Sequence, residues 1–288
     1  NTKEGQVNRV LLLTDGLANH GTTDPVKLGK KVEGMRQSGV AVTTLGVGDD
    51  FDEDLLTALA EKSGGNYYFI DSADHIPEIF GKELQELLSV VAQNVKLTFY
   101  CGEAVTVTKV WNYQPTGDRI LSIGLPDLIS SDRKIIVMEL QVEAVSAGDA
   151  SLGRITLSYD DAGASLESAE ISLDLKMNAT HDETLLASPE ESEIRARVEL
   201  CRTAEAREEA IRRADDQDFG TAQNIMQEWT DKISYQLSVA DESMRPELAE
   251  ELAFMEASQA KFSAGAYDAN SRKQMASRNY QSRSNKKQ

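Results

Sequence analysis

No run of this chain approaches the ~20 consecutive apolar residues needed to cross a bilayer, so no transmembrane helix is expected. The opening NTKEGQVNRV has neither a basic leader segment nor an apolar core behind it, so no signal peptide is expected there. Cysteine is scarce. Cys101 and Cys201 fit no metal-ligand spacing and read as ordinary thiols, which leans toward a reducing compartment such as the cytoplasm. Basic residues are in deficit, 30 Lys and Arg against 48 Asp and Glu, for a net charge of -18. That balance argues against nucleic acid or an anionic membrane as the partner of the bulk of the chain. No G-x-S-x-G, Walker A loop, H-E-x-x-H or C-x-x-C occurs, so no enzyme activity is expected.

What is present is an ordinary soluble balance, 40% hydrophobic and 27% charged over 288 residues, enough for two or three domains. Residues 1–94 alternate strand and helix. Val10-Leu11-Leu12-Leu13 is continuously apolar, which predicts a strand buried on both faces of a parallel sheet. Asp24 and Pro25 open a helix that Gly39 closes, and Val40 to Leu45 forms a second strand. Asp52 caps a helix over Glu53 to Lys62 that ends at Gly64-Gly65, before a third strand, Tyr67 to Ile70. A last helix is predicted from Pro77 to Val91, with Ile79, Phe80, Leu84, Leu87 and Leu88 on one stripe.

Residues 95–178 change period. Val95 to Phe99, Val105 to Val110, Ile135 to Val145, Gly153 to Tyr159 and Ala169 to Leu175 alternate apolar with polar, which predicts an antiparallel β-sandwich. Residues 179–186 read as a linker. Ser188-Pro189-Glu190-Glu191 then opens a helical region over 186–275, a hairpin or bundle, with similar breaks at Asp218-Phe219-Gly220 and Gly265-Ala266-Tyr267-Asp268. Residues 276–288 are expected as a basic, disordered tail. The sharper alternative is a docking strip for an acidic surface, the protein's own included, built from Arg272, Lys273, Arg278, Arg283, Lys286 and Lys287.

The most informative stretch is Asn8-Arg9-Val10-Leu11-Leu12-Leu13-Thr14-Asp15-Gly16-Leu17-Ala18-Asn19. It is followed by Thr44-Leu45-Gly46-Val47-Gly48, Phe51-Asp52-Glu53-Asp54-Leu55-Leu56, Gly64-Gly65-Asn66-Tyr67-Tyr68 and Ile79-Phe80-Gly81-Lys82-Glu83-Leu84. In order and spacing these segments resemble the C-terminal half of a von Willebrand factor type A (VWA) domain. Ile123 to Leu128 and Leu157 to Asp161 resemble the second domain of multidomain bacterial VWA proteins, in which a helical region comes last.

The resemblance implies a Rossmann-like parallel sheet and a metal-ion-dependent adhesion site above its carboxyl edge. That site holds Mg²⁺, or Mn²⁺, through oxygen ligands from three loops, often completed by a carboxylate of a protein partner. Asp15 is the one matching ligand here. The Asp-x-Ser-x-Ser loop of the family has no counterpart: Asp149-Ala150-Ser151 and Asp241-Glu242-Ser243 follow no buried strand. The expectation is therefore that the chain begins inside the domain, with three strands upstream, and binds no metal tightly by itself. The implied role is an adhesion or scaffold module. The alternative is a non-catalytic subunit of an ATPase-driven or other enzyme complex. Asp49, Asp50, Asp52, Glu53 and Asp54 read as helix-dipole carboxylates rather than a Ca²⁺ loop. His20, His75 and His181 share no ligand spacing, and Trp111 and Trp229 read as core or interface anchors.

Overall fold

The computed structural model describes residues 6–130, 133–182, 190–263 and 265–284. Contacts divide the chain into two compact units, Asn1–Lys134 with Met138–Ala179, and Ile135–Val137 with Thr180–Gln288.

The first unit opens with β1 (Asn8–Thr14), α1 (Pro25–Gln37), β2 (Val40–Val47), α2 (Glu53–Ser63), β3 (Tyr67–Ile70) and α3 (Ile76–Leu88). The three strands form a parallel sheet in chain order, β1-β2-β3. The helix starts follow from local chemistry. The Asp24 carboxylate accepts from the Val26 and Lys27 amides, and Asp52 accepts from the Leu55 amide. α2 stops at Gly64, whose φ of 80° places it in the left-handed region. Alternate residues of β2 face opposite layers. Val42 packs with Val32 and Leu59 beneath α1 and α2, while Leu45 packs with Tyr68, Ile70, Ile76 and Ile79 beneath α3.

Two expectations are corrected here. β1 is not buried on both faces: Val10, Leu11, Leu12 and Leu13 are each 39–45% exposed, because β1 is the edge strand and pairs only with β2. The stripe assigned to α3 is its buried face only in part. Ile79 does turn inward, beside Ile76 and Glu83, and Leu87 is half-buried, but Phe80, Leu84 and Leu88 are exposed. It ends at Leu88 rather than Val91, because Val90 starts a strand.

That strand is β4 (Val90–Cys101), so the boundary expected at 94/95 falls inside one element. It is followed by β5 (Val105–Val110), β6 (Ile120–Gly124), β7 (Leu128–Ile129), β8 (Met138–Val142), β9 (Gly148–Asp161) and β10 (Glu167–Ala179). The order β10-β9-β4-β6, with β7 beside β4, makes one antiparallel sheet, and β5-β8 makes the other. Phe99, Val105, Trp111, Leu121 and Ile123 are buried.

The second unit holds α4 (Glu190–Asp215), α5 (Phe219–Val239), α6 (Arg245–Gln259) and α7 (Ala269–Ser284). Ser188 and Pro189 lie outside the described residues, so the expected start of α4 is not among them. Met226, Met255, Phe262 and Met275 fill one core, and Ile233, Met244 and Leu248 a second. The two breaks noticed in the sequence come together. The Phe219 and Tyr267 rings sit 6.1 Å apart, and Asp218 and Asp268 cap the next helices at Thr221 and Ser271.

Residues 276–284, expected as tail, continue α7. Arg272 pairs with Asp215, Arg278 with Glu250 and Glu251, and Arg283 with Glu208, so the basic strip docks on the chain's own acidic helices. Lys286 and Lys287 lie outside the described residues.

Candidate functional site

Sequence points to the carboxyl edge of the parallel sheet. There the apolar run of β1 gives way to Thr14-Asp15-Gly16. The Thr14 hydroxyl donates to the Gly16 carbonyl at 3.0 Å and accepts from the Gly16 amide at 3.3 Å, which turns the chain as it leaves the sheet. Asp15 sits on that turn, exposed. Parallel register sets Thr14 beside Gly46 and Gly46 beside Phe69, so the three strands end at one level. A side chain at Gly46 would collide with the Phe51 ring, only 2.3 Å from a Cβ there, so glycine is required where Phe51 folds back. After β2 come Asp49 and Asp50, both exposed, and Asp52, which is used as a cap. After β3 comes Asp71, 2.9 Å from His75. His20 is exposed on the β1 loop.

These carboxylates do not converge. Among the described residues no three of His, Cys, Asp or Glu are grouped to hold a metal ion. Mg²⁺ asks for an octahedron of oxygens and gives up water reluctantly. Asp15 alone does not meet that demand, so the residues gathered here do not make a complete cation site.

Sequence reasoning missed a buried polar cluster elsewhere in this unit. Glu83 of α3 accepts from Arg9 at 3.2 Å, Thr43 at 2.9 Å, Tyr68 at 2.8 Å and Asn66. Arg9 also reaches Asp127 at 3.0 Å, tying α3 and β1 to the loop between β6 and β7. Burial pushes the Glu83 carboxyl up. The charge of Arg9 and the three side-chain hydrogen bonds outweigh it and hold the carboxyl below its usual range. Burial likewise works against the Arg9 charge, and Glu83 and Asp127 together overcome it. The only sequence signal was a charged residue three positions after an aromatic in a helix, which fits a solvated face equally well. Arg9 and Glu83 also border a groove of about 340 Å³ lined by Leu11, Phe80, Leu84 and Leu87.

The helical unit carries a similar buried network. Arg207 is fully buried and donates to Glu251, Asn279 and Ser282. Burial pulls the Arg207 pKa down against the attraction of Glu251. Among the described residues neither Cys101 nor Cys201 is in a disulfide. Burial pushes the Cys101 thiol up, away from reactivity, and Cys201 is buried.

Residues 1–82 match the family model of the von Willebrand factor type A domain. Two curated relatives are similar to part of this chain. The uncharacterized protein YfbK of Escherichia coli strain K12 is 36% identical over 94 residues, 32% of this chain and 16% of the relative. The uncharacterized protein sll0103 of Synechocystis sp. is 27% identical over 171 residues, 55% of this chain and 40% of the relative. The chain thus spans less than half the length of these curated relatives. Among solved structures, a von Willebrand factor type A protein from Catenulispora acidiphila superposes with a TM-score of 0.62 at 17% identity, covering 89% of this chain and 57% of that one. The ArnB paralog VWA2 from Sulfolobus acidocaldarius gives 0.52 at 17% identity, covering 96% and 63%. At that identity they establish the fold: a VWA-type parallel sheet, antiparallel sheets and helices.

Proposed function

We propose that this chain is part of a protein-interaction module and that its VWA segment contributes a contact surface rather than a catalytic centre. Asp15 would supply one carboxylate to a divalent-cation site, Mg²⁺ or Mn²⁺, whose other oxygens come from outside the residues gathered at this edge. A carboxylate of the protein partner would complete the cation's shell. One observation carries the reading. The Thr14-Asp15-Gly16 turn, with Asp15 exposed, sits at the carboxyl end of a parallel strand in the segment that matches the VWA family, where open α/β sheets bind ligands.

Two measurements test it. Calorimetric titration of this chain with MgCl₂ or MnCl₂ is expected to show nothing tighter than millimolar. A micromolar site would place a full ligand set within the chain and overturn the one-carboxylate reading. Affinity capture by the natural protein, with Mg²⁺ or with a chelator, is expected to lose its chelator-sensitive partners on Asp15→Ala. Unchanged capture by that variant in Mg²⁺ would overturn the adhesion reading.

A further inference from the structure

β10 is the outermost strand of the large antiparallel sheet, and among the described residues all thirteen of its residues pair with β9 on one side only. The irregularity in that ladder is an extra residue on β9: Leu175 faces Gly153 and Lys176 faces Ser151, so Leu152 has no counterpart. The free side of β10 therefore runs unbroken, with no proline and no bulge of its own, the devices that commonly protect an edge. Its faces are sharply divided. Ala169, Ile171, Leu173, Leu175 and Met177 lie on one, while Ser168, Glu170, Ser172, Asp174, Lys176 and Asn178 lie on the other. Ile171 and Leu173 are 59% and 62% exposed. Next to them across the sheet, Leu157 and Ile155 are half-buried, and beyond those Leu97 and Phe99 are buried. The apolar face thus opens progressively toward the free edge.

We propose that this edge pairs with the same edge of a second copy of the chain, as antiparallel strands related by a two-fold axis at Leu173. Strand self-pairing demands that every residue accept the one opposite, and that demand selects the register. Centred on Leu173, Ile171 meets Leu175, Ala169 meets Met177, and Ser172 meets Asp174. Glu170 of each copy meets Lys176 of the other, forming two symmetric opposite-charge pairs. A two-fold at Leu175 would set Asp174 against Lys176, but it pairs only Ile171 to Ala179 rather than the whole strand and calls on a carboxylate already held by Arg154. The other neighbouring registers fail. Centring on Ser172 sets Glu170 against Asp174. Centring on Asp174 sets that carboxylate against itself. Centring on Ile171 sets Glu167 against Leu175. Like charges directly opposite one another destabilise a strand pair, and opposite charges and apolar pairs stabilise it. Glu170 and Lys176 are both exposed, and among the described residues neither side chain makes a hydrogen bond or salt bridge within the chain. The isologous contact closes on itself, so it yields a dimer and not a fibre.

Sedimentation equilibrium on the full 288-residue chain tests this. The wild type is expected to show a monomer–dimer equilibrium. Lys176→Glu places like charges at both symmetric sites and is expected to raise the dimer Kd at least about tenfold, from two repelling cross-strand pairs. The charge-swapped double variant Glu170→Lys/Lys176→Glu restores both pairs and is expected to return within about threefold of wild type. Both residues are exposed on a strand surface, so the circular dichroism spectrum is expected to match the wild type in both charge variants. In a Cys101→Ser/Cys201→Ser background, Leu173→Cys is expected to form an intermolecular disulfide on mild oxidation, because opposed Cα atoms lie about 4.5–5.5 Å apart. Ser168→Cys in the same background is expected to form no disulfide, because it faces Asn178 of the other copy and not itself. A monomeric wild type, a double variant no better than Lys176→Glu alone, or a dimer that survives Lys176→Glu would each overturn the proposal.

Discussion

Glu83→Gln is the sharpest perturbation of the first unit. The native carboxylate is 1% exposed and accepts from four side chains, of Arg9, Thr43, Asn66 and Tyr68. A glutamine keeps one acceptor oxygen and turns the other into an NH₂ aimed at groups that are themselves donors. At least one buried donor then loses its acceptor, which costs about 1–3 kcal/mol. Arg9, its side chain 4% exposed, retains only Asp127. Breaking a buried ion pair from one side costs about 3–5 kcal/mol, and Asp127 offsets part of that. The expected loss is about 3 kcal/mol, or roughly a hundredfold at 1.4 kcal/mol per tenfold. Global denaturation is a poor assay, because two units make a single unfolding free energy ill-defined. Native-state hydrogen exchange at the β2 amides of Val42 to Leu45, which lie between the two packed layers, reads the opening of this unit directly. Exchange there is expected to speed up about a hundredfold in Glu83→Gln. Leu88→Gln, at a position 79% exposed on the same helix, is expected to leave it unchanged. If the Glu83→Gln amides exchange within threefold of wild type, the carboxylate does not hold this unit together and the reasoning fails.

Other outcomes follow from the same structure. Glu83 and Glu251 both titrate below the ordinary glutamate range: burial pushes each up, but Arg9 with the hydrogen bonds of Asn66, Tyr68 and Thr43 outweighs it at Glu83, and Arg207 with Arg278 outweighs it at Glu251. Their contribution is therefore complete above about pH 4.3 and is lost as pH falls through the lower folded values, so both units should weaken together on acid titration. A circular dichroism profile flat from pH 5 down to pH 2 would contradict that. Arg207→Met leaves Glu251 with Arg278 alone and removes the partner of Asn279, so the helical unit should lose about 3 kcal/mol, seen as faster exchange in α4 and α6. Asp15→Ala, on an exposed turn, should shift stability by no more than about 0.5 kcal/mol, and a larger melting shift would mean Asp15 is structural. In a monomeric sample, the β1 amides that point away from β2 should exchange within minutes. Slow exchange at every residue from Val10 to Leu13 would mean that the edge is covered.

The elements written in local chemistry were legible. Asp24 with Pro25, and Asp52 with Gly64, announced α1 and α2, because capping acts through neighbouring residues. Thr14-Asp15-Gly16 marked the carboxyl edge, and the strict alternation of Val105 to Val110 gave β5 residue for residue. Elements settled by distant partners were not legible. The stripe on α3 was read from apolar spacing, yet the inward face carries a glutamate, because four donors from β1, β2, β3 and the approach to β3 converge on it. Nothing within the helix records those donors. α7 looked like a solvated tail for a similar reason: its arginines find their carboxylates on α4 and α6, up to 75 positions away in sequence. Of a candidate cation site the sequence offered one residue, Asp15, and among the described residues no three of His, Cys, Asp or Glu are grouped to hold a metal ion.

Only Ser89 separates the last residue of α3 from the first of β4. Arg9 grips Asp127 across the same junction, and Arg36 donates to the Leu125 carbonyl. A helix that becomes a strand within one residue leaves no seam for recombination. A gene exchange that cut near codon 94 would split β4, take Asp127 from Arg9 and take the Leu125 carbonyl from Arg36. The parallel and antiparallel parts would therefore be inherited as one cassette, whereas a cut after Ala179 passes between the two units along the main chain. Shuffling among multidomain relatives should accordingly swap the helical unit far more freely than it separates the two kinds of sheet.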